Sequence, residues 1–193
     1  MTTFISSYPS YLPSDVCAST CTIIDEIILQ NGANYINNLD RKDYSIQSGS
    51  HSRLTNIEST IFDQVYKGWH KYNNVYGAST KKFDKIFNPS WKFQKSDSGG
   101  GFTAWHSEQA PLNNRFAVWM IYLNSIETGG ATEFKHFDLS IQPVAGTLLI
   151  WPASFTHLHR AAADLQTNKY IATGWFNFDR INSSKPYKKF GLV

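Results

Sequence analysis

The sequence predicts an α+β fold that is mainly β: a double-sheet jelly-roll core, or double-stranded β-helix, flanked by N-terminal helices. Three observations predict it. Apolar residues recur at helical spacing only before residue 80. From Trp91 onward, short alternating or apolar runs are separated by turn residues every eight to twelve positions or so. A chain of 193 residues, 41% hydrophobic and 15% aromatic, can bury one full core but not two ordinary ones. One domain is therefore expected over residues 1–193, with 1–80 as mostly helical support and 90–180 as the jelly-roll core.

Each element has a local reason. Phe4–Leu12 is short, aromatic and interrupted by Pro9, and reads as an extended lead-in. Ser14 can cap a first helix, with Asp15 in the first turn where a carboxylate suits the dipole. Val16, Ile23, Ile24, Ile27 and Ile28 form its stripe, and Asn31-Gly32 ends it after Gln30. The polar stretch Asn34–Gly49 mixes a short strand with loop. A second helix over Ser52–Tyr72 carries Leu54, Ile57, Ile61, Val65, Trp69 and Tyr72 at intervals of three and four. His70 lies beside that stripe, outside any ligand pattern, and His51 and His136 read as surface residues. Phe83–Phe87 reads as a helical turn or connector.

The β half opens with the alternating Trp91–Lys95 and the loop Ser96–Gly101. Its three adjacent glycines are not followed by Gly-Lys-Ser/Thr or by a helix, which excludes a phosphate loop. Phe102–Ser107 is expected to be a strand that brings up His106. Pro111–Asn114 turns the chain into Arg115–Asn124, a dense apolar strand central in its sheet. Turns at Glu127–Gly130 and Ala145–Thr147 frame short strands over Ala131–Phe137 and Leu139–Val144. Leu148–Trp151 is a buried strand ended by Pro152. Phe155–Arg160 and Lys169–Phe178 are the last two strands, joined by the polar loop Ala163–Asn168.

Composition narrows the function. The net charge of +3 is mild, and the small clusters Lys81, Lys82, Lys85 and Lys185, Lys188, Lys189 do not form a nucleic-acid footprint. The two cysteines, Cys17 and Cys21, lie one helical turn apart and read as small buried residues rather than a zinc site or disulfide. The first residues lack the basic and long apolar runs of a signal peptide, and no stretch of about 18 apolar residues exists. A cytoplasmic protein with no membrane partner is the resulting expectation.

The chemistry concentrates in two stretches. His106 and Glu108 are two residues apart, so on a strand they share a face. A later histidine, His157 or His159, can close a triangle with them. Two histidines and one carboxylate on one side of a metal leave open positions for O₂ and a chelating co-substrate, which suits non-haem Fe(II). Lys169 can supply a cation for the far carboxylate of that co-substrate, with the Tyr122 hydroxyl beside it. Thr173 and Trp175 share the strand face of Lys169 and line the same pocket.

His106-Ser107-Glu108, Tyr122-Leu123-Asn124, Gly129-Gly130, Gly146, Leu149–Pro152, His159 and Lys169–Trp175 together resemble the prolyl 4-hydroxylase-like branch of the 2-oxoglutarate/Fe(II)-dependent dioxygenases. The resemblance covers about residues 90–180 and includes order and spacing. It implies Fe(II) held by His106, Glu108 and His159, and 2-oxoglutarate held by Lys169 and Tyr122. It implies O₂ as the second co-substrate and ascorbate as a further candidate cofactor. The branch usually places aspartate where this chain has Glu108, which is one methylene longer. The ten-residue interval from His159 to Lys169 fits the family better than the interval from His157. The implied reaction is hydroxylation of a peptidyl, prolyl-type side chain or a small molecule, with release of succinate and CO₂. A nucleic-acid demethylase of the same chemistry and a non-enzymatic, cupin-like binding protein are the competing readings. The diffuse charge disfavours the former, and the intact ligand set disfavours the latter.

Overall fold

The computed structural model describes residues 2–77, 86–87, 90–111 and 113–178. Its order is β1 (Ser6–Tyr8), α1 (Ser14–Leu29), β2 (Asn34–Asn37), β3 (Arg41–Gln47), α2 (Thr55–Tyr76), β4 (Ile86–Phe87) and β5 (Trp91–Ser96). Then follow β6 (Gly101–Phe102), β7 (Arg115–Tyr122), β8 (Thr132–Phe134), β9 (Leu139–Ile141), β10 (Leu148–Pro152), β11 (His159–Ala161) and β12 (Lys169–Phe178). The large sheet runs β1-β10-β7-β12-β5-β3-β2, with β4 against β12 and β6 against β3. The small sheet runs β11-β8-β9. All these pairings are antiparallel.

Strand periodicity sorts the side chains of the large sheet into two layers. Trp91, Phe93, Ala117, Trp119, Ile121, Leu148, Ile150, Tyr170, Ala172 and Phe176 face the helices and pack with Ile24, Ile27, Ile61, Val65 and Trp69. Their alternates Val118, Met120, Tyr122, Leu149, Trp151 and Trp175 pack with Phe134 of the small sheet. The molecule is thus helices, large sheet, small sheet, with the expected jelly-roll core flanked by helices. Close approach is built in at Gly68 of α2, where a Cβ would lie 2.2 Å from Leu148 Cδ2. Gly174 does the same inside β12, where a Cβ would meet Trp91 Cβ at 2.5 Å and the Trp119 ring at 2.8 Å.

Several boundaries differ from expectation. Ser14 is the first residue of α1 rather than its cap: Pro13 occupies the cap position and no side-chain capping bond forms. Only part of the expected stripe is fully buried, and Cys17 and Thr20 join Ile24 and Ile27 on the buried face. Both cysteines are free. α1 ends as expected, with Asn31 at φ 57 and the Gly32 amide donating to the Ile27 carbonyl. Residues 34–47 form a hairpin of two strands. Ser52–Leu54 is a 3₁₀ turn that leads into α2, which continues to Tyr76. The small-sheet strands β8 and β9 are shorter than their sequence runs. Ile86 and Phe87 are strand; Lys81, Lys82, the rest of the 83–87 connector, Leu112 and the basic tail with Lys185, Lys188 and Lys189 lie outside the described residues. Among the described residues no helix is long and apolar enough to cross a membrane.

Candidate active site

The alternation that builds the core also builds the site. On β12, Lys169, Ile171, Thr173 and Trp175 point away from the helices and line one cavity of about 320 Å³. On β5, Lys92, Gln94 and Ser96 do the same, and Arg115, Val118 and Met120 complete the wall from β7. His106, Glu108 and His159 line the same cavity.

His106 does not sit in a regular strand. It is held by a single bridge to His159, with each backbone amide donating to the other's carbonyl at 3.1 and 2.9 Å. The expected strand Phe102–Ser107 is therefore replaced by β6 and this bridge. Phe102 stacks on the His106 ring at 3.6 Å between centroids. The second expected strand also divides: Phe155–His157 is a 3₁₀ turn, and β11 begins at His159. This separates the two histidines that alternation alone left equivalent. His157 Nε2 lies 2.8 Å from the Thr3 carbonyl and Nδ1 lies 2.9 Å from Thr156 Oγ1, so both nitrogens are engaged outside the cavity.

His106, Glu108 and His159 each offer a ligand atom, all within 4.8 Å of one another. His106 Nδ1 lies 2.9 Å from the Ala104 carbonyl, and His159 Nδ1 lies 3.0 Å from the His157 carbonyl. A carbonyl can only accept, so both Nδ1 atoms carry protons and both Nε2 lone pairs are free. Those Nε2 atoms lie 3.7 and 3.9 Å from Glu108 Oε1. The other carboxylate oxygen is fixed: Arg115 Nη1 and Trp175 Nε1 each donate to Oε2 at 2.9 Å. The Arg115 guanidinium also lies over the Trp175 ring at 3.5 Å. One oxygen is thus locked and the other left to the histidines, as where outer hydrogen bonds orient the ligands of a metal centre. The extra methylene of Glu108 places its carboxylate between Arg115 and the two rings.

Burial pushes the Glu108 carboxyl up, but the His106 and His159 rings and Arg115 more than offset it and hold it at about 2. Burial, reinforced by His106, lowers His159 to about 4. A carboxylate and a neutral imidazole are the forms that can ligate a cation at neutral pH. Two imidazole nitrogens and one carboxylate oxygen on one side of a cavity fit a divalent iron with open positions.

Lys169 is 6% exposed, and its Nζ donates to the Gly130 carbonyl at 2.5 Å with no carboxylate partner among the described residues. Burial lowers it to about 8. Thr173 lines the cavity, although its hydroxyl donates to the Trp119 carbonyl at 2.9 Å. Tyr122 lies behind the residues that line the cavity. It is fully buried beside Lys169, with its ring 5.3 Å from the ammonium, but its hydroxyl lies 2.7 Å from Thr132 Oγ1 and 3.1 Å from the Ile141 carbonyl. That hydroxyl is satisfied within the wall, and Thr132 is the residue that reaches the cavity. Arg160 lines the cavity with Nε on Glu133 Oε2 at 2.7 Å and its guanidinium over Trp105.

The profile of the 2OG-Fe(II) oxygenase superfamily matches residues 91–177, a span that contains His106, Glu108, His159 and Lys169. Over this span the chain is similar to that superfamily. Its relatives include prolyl 4-hydroxylases. It is 35% identical over 124 residues to human prolyl 4-hydroxylase subunit alpha-3, covering 58% of this chain and 20% of that one. The chain spans about a fifth of the length of the curated relatives it matches. A Pseudomonas putida prolyl-4-hydroxylase superposes with a TM-score of 0.71 at 15% identity, covering 93% of this chain and 95% of that one. The viral collagen prolyl hydroxylase of Paramecium Bursaria Chlorella virus-1, solved as its 2OG complex, superposes at 0.66 with 18% identity over 91% and 97% of the two chains. These superpositions establish the double-stranded β-helix fold.

Lys92, Arg41 and Asp43 are among the cavity residues not singled out from sequence. Arg41 donates to both oxygens of the buried Asp43 at 2.5 and 2.8 Å. Lys92 marks the inward face of β5 through its place in the alternation Trp91-Lys92-Phe93, the one sequence signal that could have found it.

Proposed function

We propose that this chain is an Fe(II)- and 2-oxoglutarate-dependent dioxygenase that hydroxylates a prolyl-type side chain of a peptide or a related small molecule. The observation that carries the reading is the convergence of two free Nε2 lone pairs and one carboxylate oxygen in the same cavity as Lys169. The names of the prolyl hydroxylase relatives support the substrate class. The cytoplasm remains the proposed setting, supported by two free cysteines. Residues 1–80 are read as support and 90–180 as the catalytic core of one domain.

His106, Glu108 and His159 would hold the iron, and Lys169 the distal carboxylate of 2-oxoglutarate. When bound, iron and 2-oxoglutarate supply the oxidation: O₂ is consumed, 2-oxoglutarate loses CO₂ to become succinate, and one oxygen atom enters a substrate C–H bond. The chain's own residues do the rest. Arg115 and Trp175 hold Glu108 Oε2, which keeps Oε1 turned toward the histidines. The carbonyls of Ala104 and His157 hold both imidazole tautomers. Lys169 meets an incoming carboxylate as a desolvated cation, where a charge-assisted hydrogen bond is worth roughly 1.5–3 kcal/mol. Val118, Met120, Trp151 and Ile171 give the cavity apolar wall that excludes water.

Release of labelled succinate tests the reading, with Fe(II) and 2-oxoglutarate, with and without chelator, across prolyl peptides and small prolyl amides. Iron-dependent release that rises with one of these substrates is expected. Absence of iron-dependent 2-oxoglutarate binding and of turnover across the set would overturn it.

A further inference from the structure

Five cations line the cavity: Arg41, Lys92, Arg115, Arg160 and Lys169. The three arginines each hold a carboxylate, on Asp43, Glu108 and Glu133 respectively. Lys169 bonds a carbonyl and, under the oxygenase reading, receives 2-oxoglutarate. Lys92 is left over. Among the described residues its Nζ makes no ion pair or hydrogen bond, and it lies 5.5 Å from the centroid of the Trp175 ring. An ammonium held at a cavity wall without a counter-charge is costly unless a ligand supplies one.

The two lysines serve different ends of the cavity. In the β5–β12 register Lys92 stands opposite Thr173, whereas Ser96 stands opposite Lys169. Four residues along a strand is about 13 Å. Lys92 feels the charges of Arg41, Asp43, Glu108 and Arg115, while burial alone acts on Lys169. Lys92 therefore belongs to the end occupied by Glu108. Under the oxygenase reading, a 2-oxoglutarate held by Lys169 at one carboxylate and by the metal at the other would have no carboxylate left for Lys92. Because Asp43 and Glu108 are already matched by arginines, the Lys92 end carries one excess positive charge. A single carboxylate balances one charge, whereas a phosphate carries nearly two.

We propose that Lys92 is a specificity-determining residue that binds a carboxylate of the substrate, so that this enzyme selects an acidic substrate over its neutral amide counterpart. The inference rests on the oxygenase reading for the role of Lys169. The carboxylate can come from a free C-terminal carboxyl next to the oxidised residue or from an acidic side chain within a peptide.

Two probe pairs distinguish these sources: N-acetyl-L-proline against N-acetyl-L-prolinamide, and acetyl-Glu-Pro-amide against acetyl-Gln-Pro-amide. Each is titrated calorimetrically into the whole chain with Mn(II) in place of iron and saturating 2-oxoglutarate. The acidic member of at least one pair should bind about tenfold or more tightly than its neutral twin. Lys92→Met should erase that preference, Lys92→Arg should retain it, and 2-oxoglutarate affinity should stay within about twofold of wild type in both. Thermal melts establish that both variants are folded. No preference in either pair, or a preference that survives Lys92→Met, overturns the proposal. Loss of 2-oxoglutarate binding in Lys92→Met with retention in Lys169→Met also overturns it and makes Lys92 the co-substrate's cation. Failure of the oxygenase reading is separate: wild type would show no metal-dependent 2-oxoglutarate binding, and the preference is then read in metal-free protein.

Discussion

The two faces of β12 make opposite demands on one strand. Tyr170, Ala172, Gly174 and Phe176 face the helices, where close packing against Trp91, Phe93 and Trp119 stabilises the fold. Lys169, Ile171, Thr173 and Trp175 face the cavity, where a buried ammonium and a ring bonded to a carboxylate are retained at a cost to stability. A ladder paired on both sides lets one face stay polar because the other is packed without gaps. Changes on the packed face should therefore lower stability, while changes on the cavity face should lower ligand binding and spare or raise stability.

The largest expected effect is on the packed face. Phe93 is wholly buried, and Phe93→Ala should cost about 3–5 kcal/mol of unfolding free energy. Urea denaturation followed by circular dichroism measures it. A loss below about 1 kcal/mol would show that the helix-facing layer is not the main source of stability.

Lys169→Met should separate the two quantities. Binding of 2-oxoglutarate should weaken about tenfold or more, through loss of the charge-assisted contact. Stability without ligand should rise, by on the order of 1–3 kcal/mol, because an ammonium lowered by burial from 10.5 to about 8 is removed. The sign follows from linkage. The unfolded lysine binds its proton more tightly, so the penalty is complete below about pH 8 and fades as pH rises toward 10.5. The same titration acts oppositely on the ligand: 2-oxoglutarate affinity in wild type should fall as pH rises through about 8. Calorimetry across pH 6.5 to 9.5 or so reads both trends.

A smaller effect tests the place of Tyr122. Its hydroxyl is committed to Thr132 and the Ile141 carbonyl, so Tyr122→Phe should lose about 1 kcal/mol of stability and change 2-oxoglutarate affinity by less than about twofold. A tenfold loss of affinity would instead put that hydroxyl on the co-substrate.

The same contrast explains what could be read from sequence. β12 was legible from Lys169 to Phe178 because a long alternating run has one register that buries its apolar set. β7 was legible for the same reason. The turn Phe155–His157 was not: apolar and polar residues alternate there as on a strand, while Ser154 and Thr156 join their hydroxyls at 2.6 Å in a local bend. The partners of His106, Glu108 and His159 were legible as residue types, whereas the hold of Arg115 and Trp175 on Glu108 Oε2 depends on side-chain directions across β7 and β12. Lys92 was hidden for a related reason. Its lack of a partner follows only when β3, β5 and β12 are side by side.

The central claim is that His106, Glu108 and His159 form one metal site and that His157 lies outside it. Fe(II) affinity of His159→Ala and His157→Ala, measured anaerobically with folding checked by circular dichroism, tests it directly. His159→Ala should lose Fe(II) binding by more than about a hundredfold, and His157→Ala should stay within about threefold of wild type. Tight binding in His159→Ala with loss in His157→Ala would contradict the account.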